Sequence, residues 1–174
     1  LVTGHTGFKG SWLCLWLNKM GANISGLSLN DPVSNPDLYS ILDLDGLVND
    51  NRGDITQLDI CMDIIKKTEP EIIFHMAAQP LVRRSYVDPI TTYHTNVMGT
   101  ANILESARYC GSVKTIVVIT TDKCYENIEK NYAYKENDPL GGYDPYSSSK
   151  ACAEHVSSAY YRSFFKEKNV GLAT

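Results

Sequence analysis

The sequence predicts an α/β fold of the Rossmann-like type, with a doubly wound parallel sheet. Stretches rich in apolar and β-branched residues alternate with stretches whose apolar residues recur at helical spacing. A turn with three evenly spaced glycines lies between the first predicted strand and the first predicted helix. This alternating order favours a parallel sheet with helices on both faces, and such sheets bind ligands at the carboxyl ends of their strands.

The first half of the sequence predicts three strands and two helices. Strand patterns cover residues 1–3, 22–29 and 46–55, and helical patterns cover residues 9–21 and 57–68. The first helix stops at Gly21 and the second stops before Pro70, and both residue types are common at helix ends. Residues 30–45, which carry Pro32 and Pro36, are predicted to form a loop.

The second half predicts two long helices and three more strands. Strand patterns cover residues 72–76, 114–121 and 169–174, and helical patterns cover residues 89–110 and 146–168. Asp88 and Pro89 form a typical helix start. Residues 122–145 form a long polar loop with four tyrosines, and loops of this length are usually functional or disordered. The sequence begins with Leu and both ends lie in predicted strands, so we expect a protein truncated at both ends.

The composition is that of one domain with its own core. Of the 174 residues, 43% are hydrophobic and 21% are charged, with a net charge of −4. No basic block alternates with aromatic residues, so nucleic acid is not an expected partner. No stretch resembles a transmembrane segment or a signal peptide, so we expect a cytoplasmic protein without a membrane partner. The five cysteines lack metal-ligand spacing, which predicts reduced thiols and no metal site.

The glycine-rich turn is the first candidate site. Gly4, Gly7 and Gly10 stand three residues apart in TGHTGFKG, residues 3–10. Glycines allow positive φ and close backbone approach, and the turn aims the amides of a helix N-terminus at an anion such as a dinucleotide pyrophosphate. A tight turn without a ligand is the alternative, but the order of strand, turn and helix favours the ligand.

A second candidate site follows the predicted strand at residues 114–121. Thr121, Asp122 and Lys123 place a hydroxyl, an acid and an amine side by side. Tyr146 and Lys150 are four residues apart, so a helix presents both on one face. A nearby ammonium lowers the pKa of a phenol, and Tyr146 could then accept a proton from a substrate hydroxyl. A surface tyrosine and lysine on a helix is the alternative.

These motifs together resemble the extended short-chain dehydrogenase/reductase superfamily. The resemblance implies NAD as cofactor, with Lys150 on the nicotinamide ribose and Asp54 and Ile55 at the adenine. An oxidised nicotinamide would then favour the phenolate of Tyr146 together with the ammonium. The family's ribose-binding acid falls on Asn30, which lacks the charge that repels a 2′-phosphate, so NADP stays open. The residues expected to line the cofactor are Gly4, Thr6, Gly7, Phe8, Lys9, Gly10, Asn30, Asp54, Ile55, Ala77, Ala78, Gln79, Asn96, Thr120, Tyr146 and Lys150. For Asn96, pairing inside the protein is the alternative.

The Thr-Asp-Lys stretch narrows the resemblance to sugar-nucleotide 4,6-dehydratases. Most of that group carry Thr-Asp-Glu, whereas Thr-Asp-Lys and the stretch AAQPLVR at residues 77–83 are similar to the CDP-glucose 4,6-dehydratases. The resemblance implies CDP-glucose as the nucleotide-sugar substrate and Asp122 as the acid on its C6 hydroxyl. The resemblance also implies that oxidation at sugar C4 makes the C5 hydrogen acidic. Lys123 is then either a buried, neutral base that removes this hydrogen or a charged ammonium that stabilises the resulting enolate. Arg83 and Ser85 are expected near the sugar diphosphate, or else in a solvated loop.

The sequence leads to further expectations about the activity, the assembly and two histidines. A sugar-nucleotide epimerase of the same superfamily is the alternative enzyme. The alternative class is a domain that binds NAD without activity of its own, because a carboxyl-terminal substrate-binding region would be missing. A homodimer is expected through the two long helices, with a stripe of Val156, Ala159, Tyr160 and Phe164, although core packing explains the stripe as well. His5 and His75 are expected to be structural.

Overall fold

A computed structural model describes residues 1–31 and 34–174. Six strands of the described chain form one sheet in which every neighbouring pair is parallel, in the order β3-β2-β1-β4-β5-β6. The strands are β1 (Val2–Thr3), β2 (Ile24–Ser28), β3 (Val48–Arg52), β4 (Ile72–His75), β5 (Thr115–Val118) and β6 (Gly171–Ala173). This is the strand order of the Rossmann fold, whose order reverses between β1 and β4 and opens a crevice there. The predicted fold class is confirmed.

The helices connect the strands in the predicted alternation. They are α1 (Phe8–Lys19), α2 (Leu38–Ile41), α3 (Leu58–Thr68), α4 (Val82–Val87), α5 (Pro89–Tyr93), α6 (Gly99–Arg108) and α7 (Pro145–Tyr160). A π-helical turn, His94–Met98, joins α5 to α6, and a second one, Tyr161–Phe165, follows α7. The two long predicted helices are therefore confirmed, each with one wider turn. No helix of the described chain is both long and apolar enough to cross a membrane.

Three predicted loops contain more structure than the sequence suggested. Residues 38–41 of the first loop form α2, whose start is capped by the Asp37 carboxylate accepting from the Ser40 amide at 2.9 Å. Pro32 lies outside the described residues. The segment that contains Arg83 forms α4. The tyrosine-rich loop at residues 122–145 begins with a 3₁₀ turn, Asp122–Cys124, and a β-bridge between Tyr125 and Leu140 closes it. Local side-chain caps and single bridges produce elements too short for a periodic pattern to reveal.

The core lies on both faces of the sheet. The larger cluster, which includes Ile73, Ile103, Ile116 and Phe165, fills the face covered by α3, α6 and α7. The smaller cluster on the opposite face includes residues of β1, β2, β3, α1 and α2. Successive residues of a strand point to opposite faces, and β2 and β4 accordingly contribute residues to both clusters. All five cysteines are free thiols, as predicted.

Replacing Ile103 with Ala tests the larger cluster. Ile103 is 0% exposed, so we expect the variant to lose about 2–5 kcal/mol of unfolding free energy through lost burial and a residual cavity. The matched control is Ile41→Ala, because Ile41 is 64% exposed and its loss should change stability by less than about 0.5 kcal/mol. Urea unfolding measures both, and equal losses would contradict the assignment of this core.

Candidate active site

The glycine-rich turn leads the backbone from β1 into α1 with almost no space for side chains. Gly4 has φ +72°, and a Cβ there would lie 2.9 Å from the Ala77 Cα, while a Cβ on Gly10 would lie 2.1 Å from the Gly4 carbonyl oxygen. The first three amides of α1, those of Phe8, Lys9 and Gly10, have no backbone acceptor among the described residues, and no side chain caps the helix. Free amides at the start of a helix form an anion-binding site.

His5 holds this turn against β2 and β3. Its Nδ1 lies 2.9 Å from the Ser28 hydroxyl and its Nε2 lies 3.0 Å from Asp50 Oδ1. A Cβ at position 26 would lie 2.4 Å from the imidazole, so Gly26 makes room for the ring. Burial lowers the pKa of His5 against the opposing charge of Asp50. The prediction that His5 is structural is confirmed.

His75 holds the exit of β4 in the same way. Its Nδ1 lies 2.8 Å from the Thr3 hydroxyl and its Nε2 lies 3.1 Å from the Thr100 hydroxyl. The Thr3 hydroxyl also accepts from the amides of Met76 and Ala77, both at 3.1 Å. Burial, with a smaller contribution from the charge of Lys150, lowers the pKa of His75 to about 3, so the ring is neutral. This histidine is also structural, as predicted.

Asn96 joins the exit of β4 to α7. Its Oδ1 accepts from the Gln79 amide at 2.7 Å, and its Nδ2 donates to the Gln79 carbonyl at 3.1 Å and to the Ser149 hydroxyl at 2.8 Å. The Gln79 side chain is itself bonded to Leu81 and Thr92. Both side chains are buried and both amides bond to the protein, which is the internal pairing left open for Asn96 by the sequence. Among the three residues predicted at this exit, Ala77 and Ala78 are partly exposed.

Tyr146 and Lys150 stand on the first two turns of α7. The Asp144 carboxylate caps this helix by accepting from the Ser147 amide at 3.0 Å. The ammonium of Lys150 donates to the Ile119 carbonyl at 2.9 Å and is buried beside the exit of β5. Burial lowers the pKa of Lys150 to about 8, the charge of Glu154 opposes that shift, and Lys9 adds to it. A buried lysine with a near-neutral pKa marks a site where charge is balanced closely.

The Lys150 ammonium does not lower the pKa of the Tyr146 phenol as expected. Burial raises its pKa, a hydrogen bond with Thr121 lowers it, and the charges of Asp144 and Asp122 raise it again. Lys150 is not among the causes that act on the phenol, and its ammonium donates to the Ile119 carbonyl. The chain by itself therefore keeps Tyr146 protonated, and a phenolate needs a further positive charge.

Thr121, Asp122 and Lys123 gather at the exit of β5, as predicted. The Thr121 hydroxyl accepts from the Lys123 amide at 3.3 Å and lies 3.2 Å from Asp122 Oδ1. Cys124 is buried and anchors the 3₁₀ turn, whereas the side chains of Asp122 and Lys123 are exposed. Lys123 therefore lacks, in this chain, the buried environment that a neutral base would need.

The remaining predicted residues lie at the two ends of the crevice or inside the protein. Asn30 is exposed at the end of β2, next to Leu29, whose carbonyl accepts from Arg52 at 3.0 Å. The Asp54 carboxylate accepts from the Thr56 amide at 2.9 Å, and Ile55 is buried against Gly99. Arg83 is exposed on α4, while the buried Ser85 hydroxyl donates to the Val82 carbonyl at 2.7 Å.

Sequence reasoning missed several residues that support this site. The His75 ring bonds the hydroxyls of Thr3 and Thr100, and the Asn96 amide bonds the Ser149 hydroxyl. Glu154 accepts a hydrogen bond from the Thr120 hydroxyl. Glu154 follows Tyr146 and Lys150 at intervals of four residues, a spacing that could have placed it on the same face of the helix. Short polar residues such as threonine and serine carry no such pattern. Among the described residues, no group of three or more His, Cys, Asp or Glu side chains could hold a metal ion.

The comparison with known families agrees with this geometry. The family model described as GDP-mannose 4,6 dehydratase matches residues 1–169. The chain belongs to this family. CDP-glucose 4,6-dehydratase of Salmonella typhimurium is 53% identical over 99% of the chain and 49% of that protein. The resemblance to 4,6-dehydratases predicted from the motifs is confirmed.

Solved structures of related proteins share the fold of this family member. DesIV of Streptomyces venezuelae, a dTDP-glucose 4,6-dehydratase solved with NAD and TYD bound, matches 93% of the chain and 51% of its own length, with 28% identity and a TM-score of 0.80. UDP-glucose 4-epimerase of Thermus thermophilus, solved as a complex with NAD, matches 99% of the chain and 52% of its own length, with 26% identity and a TM-score of 0.81. The chain spans about half the length of these relatives.

Replacing His75 with Asn tests the buried neutral imidazole. As pH falls from 7 to 5, an unfolded histidine gains a proton while the buried ring stays neutral, so the folded state loses about 2 kcal/mol. The variant has no imidazole at this position, so its unfolding free energy should fall by about 2 kcal/mol less than that of wild type over this pH range. Urea unfolding at pH 7 and pH 5 measures the difference. The matched control is His155→Asn on the exposed side of α7, which should keep the wild-type difference. An unchanged pH dependence in the His75 variant would contradict the assignment.

Proposed function

We propose that the protein containing this chain is an NAD-dependent sugar-nucleotide 4,6-dehydratase that converts CDP-glucose to CDP-4-keto-6-deoxyglucose. The observation that carries the proposal is the cluster of Thr121, Asp122 and Lys123 at the exit of β5 beside Tyr146. The 53% identity to a CDP-glucose 4,6-dehydratase, extending over nearly the whole chain, supports the same conclusion. Because the chain spans about half of that relative, the activity is proposed for the whole protein.

The crevice between β1 and β4 fits NAD. Free amides at the start of α1 suit the pyrophosphate, and the lack of side chains at Gly4 and Gly10 lets the dinucleotide approach the backbone. Bound NAD would supply reversible storage of the hydride taken from sugar C4 and returned to C6. A lysine ammonium has three donors, so Lys150 can bond the nicotinamide ribose while it keeps its bond to the Ile119 carbonyl.

Tyr146 serves as the proton acceptor for the C4 hydroxyl. Its phenol lies beside the Thr121 hydroxyl, which can hold the sugar oxygen in line. Since burial and two carboxylates keep the phenol protonated in the chain alone, the proton acceptor becomes available only next to the positive charge of an oxidised nicotinamide. The residue is thereby activated when the site is ready for oxidation.

Asp122 and Lys123 serve the dehydration step. A ketone at C4 makes the C5 hydrogen acidic. The C5 proton passes to solvent water, which reaches the exposed Asp122, and Asp122 donates a proton to the C6 hydroxyl so that it leaves as water. The exposure of Lys123 favours a charged ammonium that stabilises the enolate over a neutral base. A sugar-nucleotide epimerase has no second carbon to deprotonate, so these two residues favour a dehydratase over that alternative.

We also infer a cytoplasmic homodimer formed through the long helices. Free thiols in all five cysteines favour a reducing compartment. Exposed residues on the outer faces of α5 and α7, such as Ile90 and Ala159, support a helical interface. Val156 and Tyr160 of the predicted stripe pack partly on the larger core instead, and Tyr160 bonds Glu105 at 3.1 Å.

Replacing Tyr146 with Phe in the full-length protein tests the proton acceptor. We expect a loss of about 10²–10⁴-fold in kcat, because the phenyl ring fills the same space without taking a proton. Formation of the 4-keto sugar from CDP-glucose, followed by its absorbance in alkali, measures the rate. The control is Tyr143→Phe, three residues earlier and 98% exposed, which should keep wild-type activity. Full activity in the Tyr146 variant, or preference of the wild type for TDP-glucose, would overturn the corresponding part of the proposal.

Replacing Asp122 with Asn and Lys123 with Met separates the two dehydration roles. In deuterated water the Asp122 variant should still exchange the C5 hydrogen while it releases little water, because the C6 hydroxyl lacks its acid. The Lys123 variant should exchange C5 more slowly than wild type, because the enolate lacks its stabilising charge. Lys130→Met, at an exposed loop position, is the control. Wild-type dehydration in both variants would show that neither residue has the proposed role.

A further inference from the structure

Glu154 occupies the third position of a polar row on α7. It lies eight residues after Tyr146 and four after Lys150, so the three side chains share one face of the helix. The Thr120 hydroxyl donates to Glu154 Oε1 across the gap between α7 and the exit of β5. The carboxylate is partly buried and lies behind the residues that the proposed function places in contact with substrate and cofactor.

The surroundings of Lys150 make this carboxylate electrostatically important. Lys150 is 7% exposed, and the charged or titratable groups that act on it or face it are Lys9 from α1, the neutral ring of His75 from β4 and Glu154 from its own helix. Burial and Lys9 both lower the pKa of Lys150, and the charge of Glu154 raises it. Glu154 is the acidic residue among the described residues whose charges affect this ammonium.

We propose that Glu154 is a positioning residue that supplies the counter-charge for the buried ammonium of Lys150 and fastens the exit of β5 to α7 through Thr120. The inference rests on the proposed function, because Lys150 matters there as the group that holds the nicotinamide ribose. The two parts of the role are separable. A Thr120→Val variant removes the hydrogen bond and leaves the charge, whereas a Glu154→Gln variant removes the charge and keeps a hydrogen-bond acceptor.

The pH dependence of NADH binding to the full-length protein tests the inference. Lys150 should hold the ribose less well once it loses its proton, so NADH affinity falls on the alkaline side. In Glu154→Gln this fall should begin about one pH unit lower than in wild type, with roughly tenfold weaker binding at alkaline pH. Affinity at pH 6 should be nearly unchanged, because the lysine is protonated there in both proteins. Fluorescence of bound NADH gives the affinity at each pH.

Three further variants separate charge from structure. Glu154→Asp should restore the wild-type midpoint, Thr120→Val should keep it, and Glu167→Gln, which removes an exposed carboxylate, should also keep it. An unchanged midpoint in Glu154→Gln, or an equal shift in Thr120→Val, overturns the counter-charge role while wild-type binding and turnover leave the proposed function standing. Failure of wild-type protein to bind NADH overturns the proposed function and this inference with it. If Glu154→Gln does not fold, Glu154→Leu takes its place, and an unchanged midpoint in that variant overturns the counter-charge role.

Discussion

The amide of Asn96 is the interaction on which the rest of the site depends. It bonds both backbone groups of Gln79 at the exit of β4 and the Ser149 hydroxyl on α7, so it links three segments far apart in the sequence. All of its partners are buried, where an unpaired backbone group costs about 1–3 kcal/mol. The wide π turn that carries Asn96 places this side chain inward between the long helices. The spacing between the crevice and the Tyr146–Lys150 pair follows from this connection.

A second constraint is the balance of charge behind the crevice. A neutral His75, a buried Lys150 and a half-buried Tyr146 crowd the exits of β4 and β5, and burial is the largest influence on the pKa of each. Desolvation disfavours every charged form in such a place, so each charge needs a partner or is lost. The protein leaves Tyr146 protonated and keeps Lys150 near its transition between charged and neutral. A site tuned in this way responds strongly when a positively charged ligand enters.

Much of the fold and of the candidate site is predictable from local patterns. The alternation of strands and helices, the start of the long helix at Asp88 and the glycine spacing all depend on residues within a few positions of one another. The helices α2 and α4 escaped prediction because four to six residues are too few to show a helical period. The inward orientation of Gln79 also escaped, and that of Asn96 stayed one of two alternatives, because polar residues at a strand exit and on a helix are equally compatible with a groove and with internal pairing.

Residues close together in the chain specify the class of fold, the position of the glycine turn and the identity of the groups at the exit of β5. They do so because helical and strand periods and i, i+4 spacings are written in neighbouring residues. Tertiary structure decided which of those groups are buried, which are exposed and which charges they meet. Lys9 and Lys150, or Thr120 and Glu154, come together only when distant segments pack, and burial then sets their proton affinities. Chemistry at this site is therefore encoded locally, and its electrostatic tuning is a property of the folded chain.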